Sequence, residues 1–149
     1  HQRECQLTQP NKEGFTPLME CCYHGRIDLA KWVLTQLPEH RRERQLTQPN
    51  KEGFTPLMDA VKHGHLAIAK WIVNQLPEEQ RVQQFKVRSK KQFNVMHQAI
   101  SANQLEMVKL IVGHLKEDWK AECEVPNKYG FTALKTNIFR ETPHGLVGW

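Results

Sequence analysis

Serine and aspartate are scarce in this chain. Of 149 residues only two are Ser (Ser89, Ser101) and three are Asp (Asp28, Asp59, Asp118). No nucleophile elbow, phosphate-binding glycine loop, dinucleotide fingerprint or H-E-x-x-H pair occurs. The nearest thing to a nucleophile and base is Cys21 or Cys22 beside His24. Both cysteines fall at small-residue helix positions, where a thiol packs as a small hydrophobe. The chain is therefore expected not to be an enzyme and to need no cofactor. Cysteine is also sparse: four residues, two of them adjacent, make no disulfide framework. Free thiols suit a reducing compartment, so a cytoplasmic setting is expected. No apolar run approaches the roughly 20 residues of a membrane-spanning helix. His63-Gly64-His65 lacks a third ligand in sequence, and no metal is expected. The net charge of +5 favours acidic partners but is modest for a dedicated nucleic-acid binder. Position 1 is His, which fits a fragment or a processed chain.

What the chain has is a repeat. Residues 6–19 and 45–58 carry the same fourteen letters, QLTQPNKEGFTPLM, at an offset of 39. Carried forward, Gly14 falls on Gly53, Gln92 and, after one residue fewer, Gly130. The chain reads as one domain of stacked units: a remnant of a preceding repeat at 1–13, repeats at 14–52, 53–91 and 92–129, and a partial repeat with a C-terminal cap and tail at 130–149. Each repeat has the same grammar. Thr16-Pro17 and Thr55-Pro56 open a short helix of about eight residues, cap first and proline next. Gly25, Gly64 and Asn103 close it in the left-handed conformation. A second helix follows, with a wide apolar face built from Leu29, Ala30, Val33 and their copies. Pro38-Glu39 and Pro77-Glu78 look like the start of a further short helix within a long connector. That connector diverges most between copies and is taken for a relaxed loop, apart from a Trp119 expected to pack on the second helix. Cys123, in register with Leu46 and Phe85, is expected to be buried. No repeat can bury its own apolar faces, so the units must stack.

The segment from Asn50 to His65, NKEGFTPLMDAVKHGH, resembles the ankyrin repeat, and the resemblance recurs in register over nearly all of the chain. It implies an all-α solenoid of helix-turn-helix units with hairpin-like turns. The unit is 39 residues against the family's usual 33 or so, and the extra residues are placed at Pro38–Arg44 and its copies. The family's histidine that ties neighbouring repeats stands at Met19, Met58, His97 and Lys135, so only His97 can play that part. Lys135, Asn137, Arg140 and Glu141 would give a terminal cap its polar outer side.

The resemblance also implies a partner-binding groove made of the turn tips and the exposed side of the first helix. Position by position it comprises Lys12, Glu13 and Phe15; Lys51, Glu52 and Phe54; Lys90, Lys91 and Phe93; and Lys128, Tyr129 and Phe131. From the helices it adds Tyr23, His24, Lys62, His63 and Ser101. A lysine at every tip favours a partner protein with an acidic surface. The invariant Phe column is taken first as packing between neighbouring turns and second as a ladder of anchors in the groove. The expected function is a non-catalytic protein–protein interaction module, with a monomer favoured. Near-identical duplicated repeats resemble those of ankyrin proteins of intracellular bacteria, which extends the expectation to a piece of an effector in a host cytosol. The alternatives are electrostatic binding of nucleic acid or anionic lipid through Arg81, Lys86, Arg88, Lys90 and Lys91, and a purely structural spacer.

Overall fold

A computed structural model describes residues 6–133. Among these residues the secondary structure is entirely helical: residues 6–8 are helical, and three successive triplets of helices follow. The first is α1 (Pro17–His24), α2 (Ile27–Thr35) and α3 (Glu39–Thr47). The second is α4 (Pro56–Lys62), α5 (Leu66–Gln75) and α6 (Glu78–Lys86). The third is α7 (Val95–Ser101), α8 (Leu105–Leu115) and, after a short 3-10 turn at Lys116–Asp118, α9 (Trp119–Glu124). The cap residues Lys135, Asn137, Arg140 and Glu141 and the tail at 145–149 lie outside the described residues.

The first helix of each triplet starts where its cap dictates. The Thr16 hydroxyl accepts from the Met19 N–H at 3.2 Å, and Thr55 accepts from Met58 at 3.3 Å. In the third triplet Asn94 takes over the role, accepting from His97 N–H at 2.9 Å. Gly25 and Gly64 close their helices at φ 74° and 75°, and Asn103 does the same at φ 55°. Gly25 is also required by proximity: a Cβ there would lie 2.6 Å from the His65 ring, which sits against it from the next triplet.

The first helices form a row, α1 against α4 and α4 against α7. Behind them α5 packs on α8, and the row and its backing enclose the core. Leu18, Leu57, Met58, Val61, Ile72, Val95 and Ile111 are fully buried there. At about 25 cal/mol per Å² of apolar surface removed from water, these seams supply the cohesion that no triplet has alone. Met19 and Met58, where the family has a histidine, are apolar packing at 0% exposure.

The connectors carry the short helices that Pro38-Glu39 and Pro77-Glu78 announce, and are not the relaxed loops their divergence suggested. In the described residues all three are helices, α3, α6 and α9. Each buries one apolar residue, Leu46, Phe85 or Cys123, against the core, and Trp119 also packs there as expected. Arg42 and Arg81 each reach back five residues to donate from Nε to a carbonyl, of Leu37 and Leu76, at 3.0 Å. That bond satisfies the exposed end of the preceding helix and fixes the corner, so the arginines are structural.

Candidate functional site: the row of turn tips

The tips are built by one asparagine each, except in the third. Asn11 Oδ1 accepts from the N–H groups of Glu13 and Phe15, Asn50 from Glu52 and Phe54, and Asn127 from Tyr129 and Phe131. Ser89 holds that place before the third tip and accepts from Phe93 N–H at 3.1 Å. The glycine position follows at φ 83°, 85° and 81° for Gly14, Gly53 and Gly130; Gln92 holds it at φ 66°.

Successive tips are linked by single backbone bonds. Lys51 N–H donates to Glu13 C=O at 3.2 Å, Lys90 to Glu52 at 2.9 Å, and Lys128 to Lys91 at 2.7 Å. The linkage is tight: a Cβ on Gly53 would lie 2.9 Å from the Lys90 nitrogen. The lysine ammonium groups leave the chain beside this ladder and are exposed.

The expected groove residues take these positions. Lys12, Glu13, Lys51, Glu52, Lys90, Lys91, Lys128 and Tyr129 are exposed at the tips. Tyr23, His24 and Lys62 are exposed on the first helices, while His63 and Ser101 are half-buried. Phe15, Phe54 and Phe93 are half-buried and Phe131 is more open. Each of the first three rings meets its own first helix. Phe15 is edge-on to Tyr23 at 6.2 Å, Phe93 is edge-on to His97 at 5.7 Å, and Lys62 Nζ lies 5.2 Å from the Phe54 centroid.

Histidines join neighbouring units. His65 Nε2 lies 3.0 Å from Tyr23 C=O, and the His63 ring packs on Tyr23 at 4.0 Å. His97, the residue expected to tie repeats, is buried, with Nδ1 at Asn94 and Nε2 3.3 Å from Phe131 C=O across the next seam. Burial holds His63 and His97 below the ordinary histidine range.

The basic stretch is divided. Arg81 is spent on Leu76 C=O, and Lys86 donates to Asp118 at 2.8 Å. Arg88, Lys90 and Lys91 remain exposed, the last two at the tip. Cys21 and Cys22 are buried, and burial pushes both thiols above the ordinary range, opposite to what a nucleophile needs. Among the described residues no group of three His, Cys, Asp or Glu is placed to hold a metal ion, and no helix is long and apolar enough to cross a membrane.

Sequence reasoning missed Asn11 and Glu20, which close a recess between the first tip and α1. The only sequence signal for Glu20 is its spacing, three residues before Tyr23 and so on the same helical face. The charge along the row is consequently not uniform: the first unit presents Glu13 and Glu20, the third Lys90 and Lys91 with no acid at the tip.

A family model described as ankyrin repeats, with three copies, matches residues 2–83. No curated protein matches the chain.

Proposed function

Since the chain belongs to the ankyrin-repeat family, whose members are generally protein–protein interaction modules and typically non-catalytic, we propose that it binds a partner protein along the row of turn tips and first helices. The observation that carries this reading is the ladder of tip-to-tip backbone bonds with lysine side chains standing free of it. A surface whose spacing is set by main-chain bonds loses little freedom on binding, so most of each contact survives as affinity. The ammonium groups of Lys51, Lys90, Lys91 and Lys128 suit an acidic partner surface, for which they steer encounter and fix register. The half-buried Phe rings brace the tips from behind and add apolar contact at the groove floor. Pairing of Lys86 with Asp118 leaves the 81–91 stretch with one charge fewer to offer a phosphate backbone.

The test is affinity capture with the native chain and with a variant reversed at Lys51, Lys90 and Lys91 to Glu. The native chain retains a protein partner that the variant loses, while both unfold at the same temperature. Equal recovery by both sinks the groove. A captured species that is nuclease-sensitive, or binding that falls about a thousandfold between 50 and 200 mM salt, assigns the surface to nucleic acid instead.

A further inference from the structure

The recess at the first tip has a character unlike the rest of the row. Its volume is about 250 Å³, and Asn11, Glu13, Phe15, Glu20 and Tyr23 line it. Drug-sized ligands occupy roughly 300–1,000 Å³, so this space fits one side chain. Its walls are fixed. Asn11 holds the backbone of Glu13 and Phe15, and Phe15 stands edge-on to Tyr23 with an 83° interplanar angle. Tyr23 is held from behind by the His63 ring and by His65 at its carbonyl. Two carboxylates and two aromatic rings in one lining are the features that attract a cation: full charges and ring quadrupoles side by side.

The second unit shows what such a place accepts. Every lining position has its counterpart there: Asn50, Glu52, Phe54, Asp59 and Lys62 stand for Asn11, Glu13, Phe15, Glu20 and Tyr23. At the one position where the types diverge in charge, the second unit carries its own lysine, and that ammonium lies 5.2 Å from the Phe54 centroid. In the first unit the same register holds Tyr23, and among the described residues no lysine lines the recess. The third unit has Lys91, Gln98 and Ser101 in these places and offers no carboxylate.

We propose that the recess formed by Glu13, Phe15, Glu20 and Tyr23 receives the cationic end of a lysine or arginine side chain from the partner protein. This rests on the groove reading above and adds to it a basic residue on the partner, opposite the first tip, next to the acidic surface that faces the later ones. Among the described residues the neighbouring cations do not fill the place. His24 Nε2 approaches Glu20 at 3.5 Å from the helix side, and both are exposed. The Lys51 stem passes Gly14 outside the recess, and Lys12 stands at the tip without lining it.

The test is an NMR titration of the whole chain with blocked tripeptides carrying a single central lysine, arginine, norleucine or glutamate. Saturable shifts at Phe15, Glu20 and Tyr23 are expected with lysine or arginine and not with norleucine or glutamate. The paired Glu13→Gln and Glu20→Gln variant should weaken binding about tenfold. Tyr23→Lys should abolish it, because the chain then supplies its own ammonium as the second unit does. That unit also shows the substitution to be compatible with the fold. Equal shifts with norleucine or glutamate, no site-specific shifts with either cation, or unchanged binding in either variant overturn the proposal. The peptides are free in solution, so their failure to bind leaves partner capture by the lysine tips untouched, and failed capture leaves this result standing.

Discussion

The first and second units share fourteen identical letters and differ in what surrounds them. Gln6, Leu7, Asn11 and Pro17 are exposed or half-buried, whereas Gln45, Leu46, Asn50 and Pro56 are all buried. The second helices differ in the same way. Leu29 is 45% exposed and Trp32 49%, against 1% for Ile68 and a half-buried Trp71. The second unit has α1 packed in front of α4, and among the described residues no complete triplet stands in front of α1. Local structure thus follows from the letters, while burial follows from the neighbour. Acid chemistry follows the same rule. Glu20 is exposed, but Asp59, in its register, is 3% exposed with Oδ2 lacking a hydrogen-bond partner.

The comparison breaks most directly at the second helices. Ile68→Ala should cost about 2–5 kcal/mol, the range for opening a cavity in a packed core. Leu29→Ala, one unit earlier, should cost less than about 1 kcal/mol. Urea unfolding of both variants checks this, and similar losses would mean that Leu29 is covered in solution.

A smaller effect comes from the two acids. Burial pushes the Asp59 carboxyl up to about 7, against the pull of Lys62. The folded chain therefore holds a proton between roughly pH 4 and 7 that the unfolded chain has released. Stability falls as pH rises through that window, and the loss is complete above it. Asp59→Asn should add about 1–3 kcal/mol at pH 8 and little at pH 4. His63, His97 and His114, all lowered by burial, act oppositely, their contribution being lost as pH falls below about 6.5. They are common to both chains and cancel in the difference. Glu20→Gln should change stability by less than about 0.5 kcal/mol at either pH. Thermal unfolding across the pH range separates the two acids.

The smallest effect sharpens the contrast between tips. Gln92 holds at φ 66° the position that Gly14 and Gly53 fill without strain. Gln92→Gly should stabilise the chain by about 1 kcal/mol, read as a rise in unfolding midpoint. No rise would mean that the Gln92 side chain repays its backbone strain.

Much of the fold was legible because it is written in local chemistry. Thr-Pro starts, left-handed stops at Gly25, Gly64 and Asn103, and a wide apolar face each depend on residues within a turn or two of one another. The connectors were less legible. In a stretch such as Glu39–Thr47 the Pro38-Glu39 pair announced a helix start, but one strongly apolar buried residue, Leu46, among charged ones was too thin a stripe to show how far it runs. It is helical because Pro38 starts it, Arg42 reaches back to the corner, and the core accepts Leu46. The exposed groove positions could be named from register, but two features could not. Lys86 is paired with Asp118, a partner that only folding brings near, and Glu20 joins Glu13 only when α1 lies beside its tip.

The ladder of amides from Lys51, Lys90 and Lys128 to the preceding tip separates two jobs within single residues. The main chain acts as a ruler, setting the pitch of the row, and the side chains are the marks upon it. A mark can be rewritten, as the third and fourth tips have exchanged the glutamate of the first two for Lys91 and Tyr129, without moving the graduations. Such a surface can change its preference one letter at a time while keeping its measure.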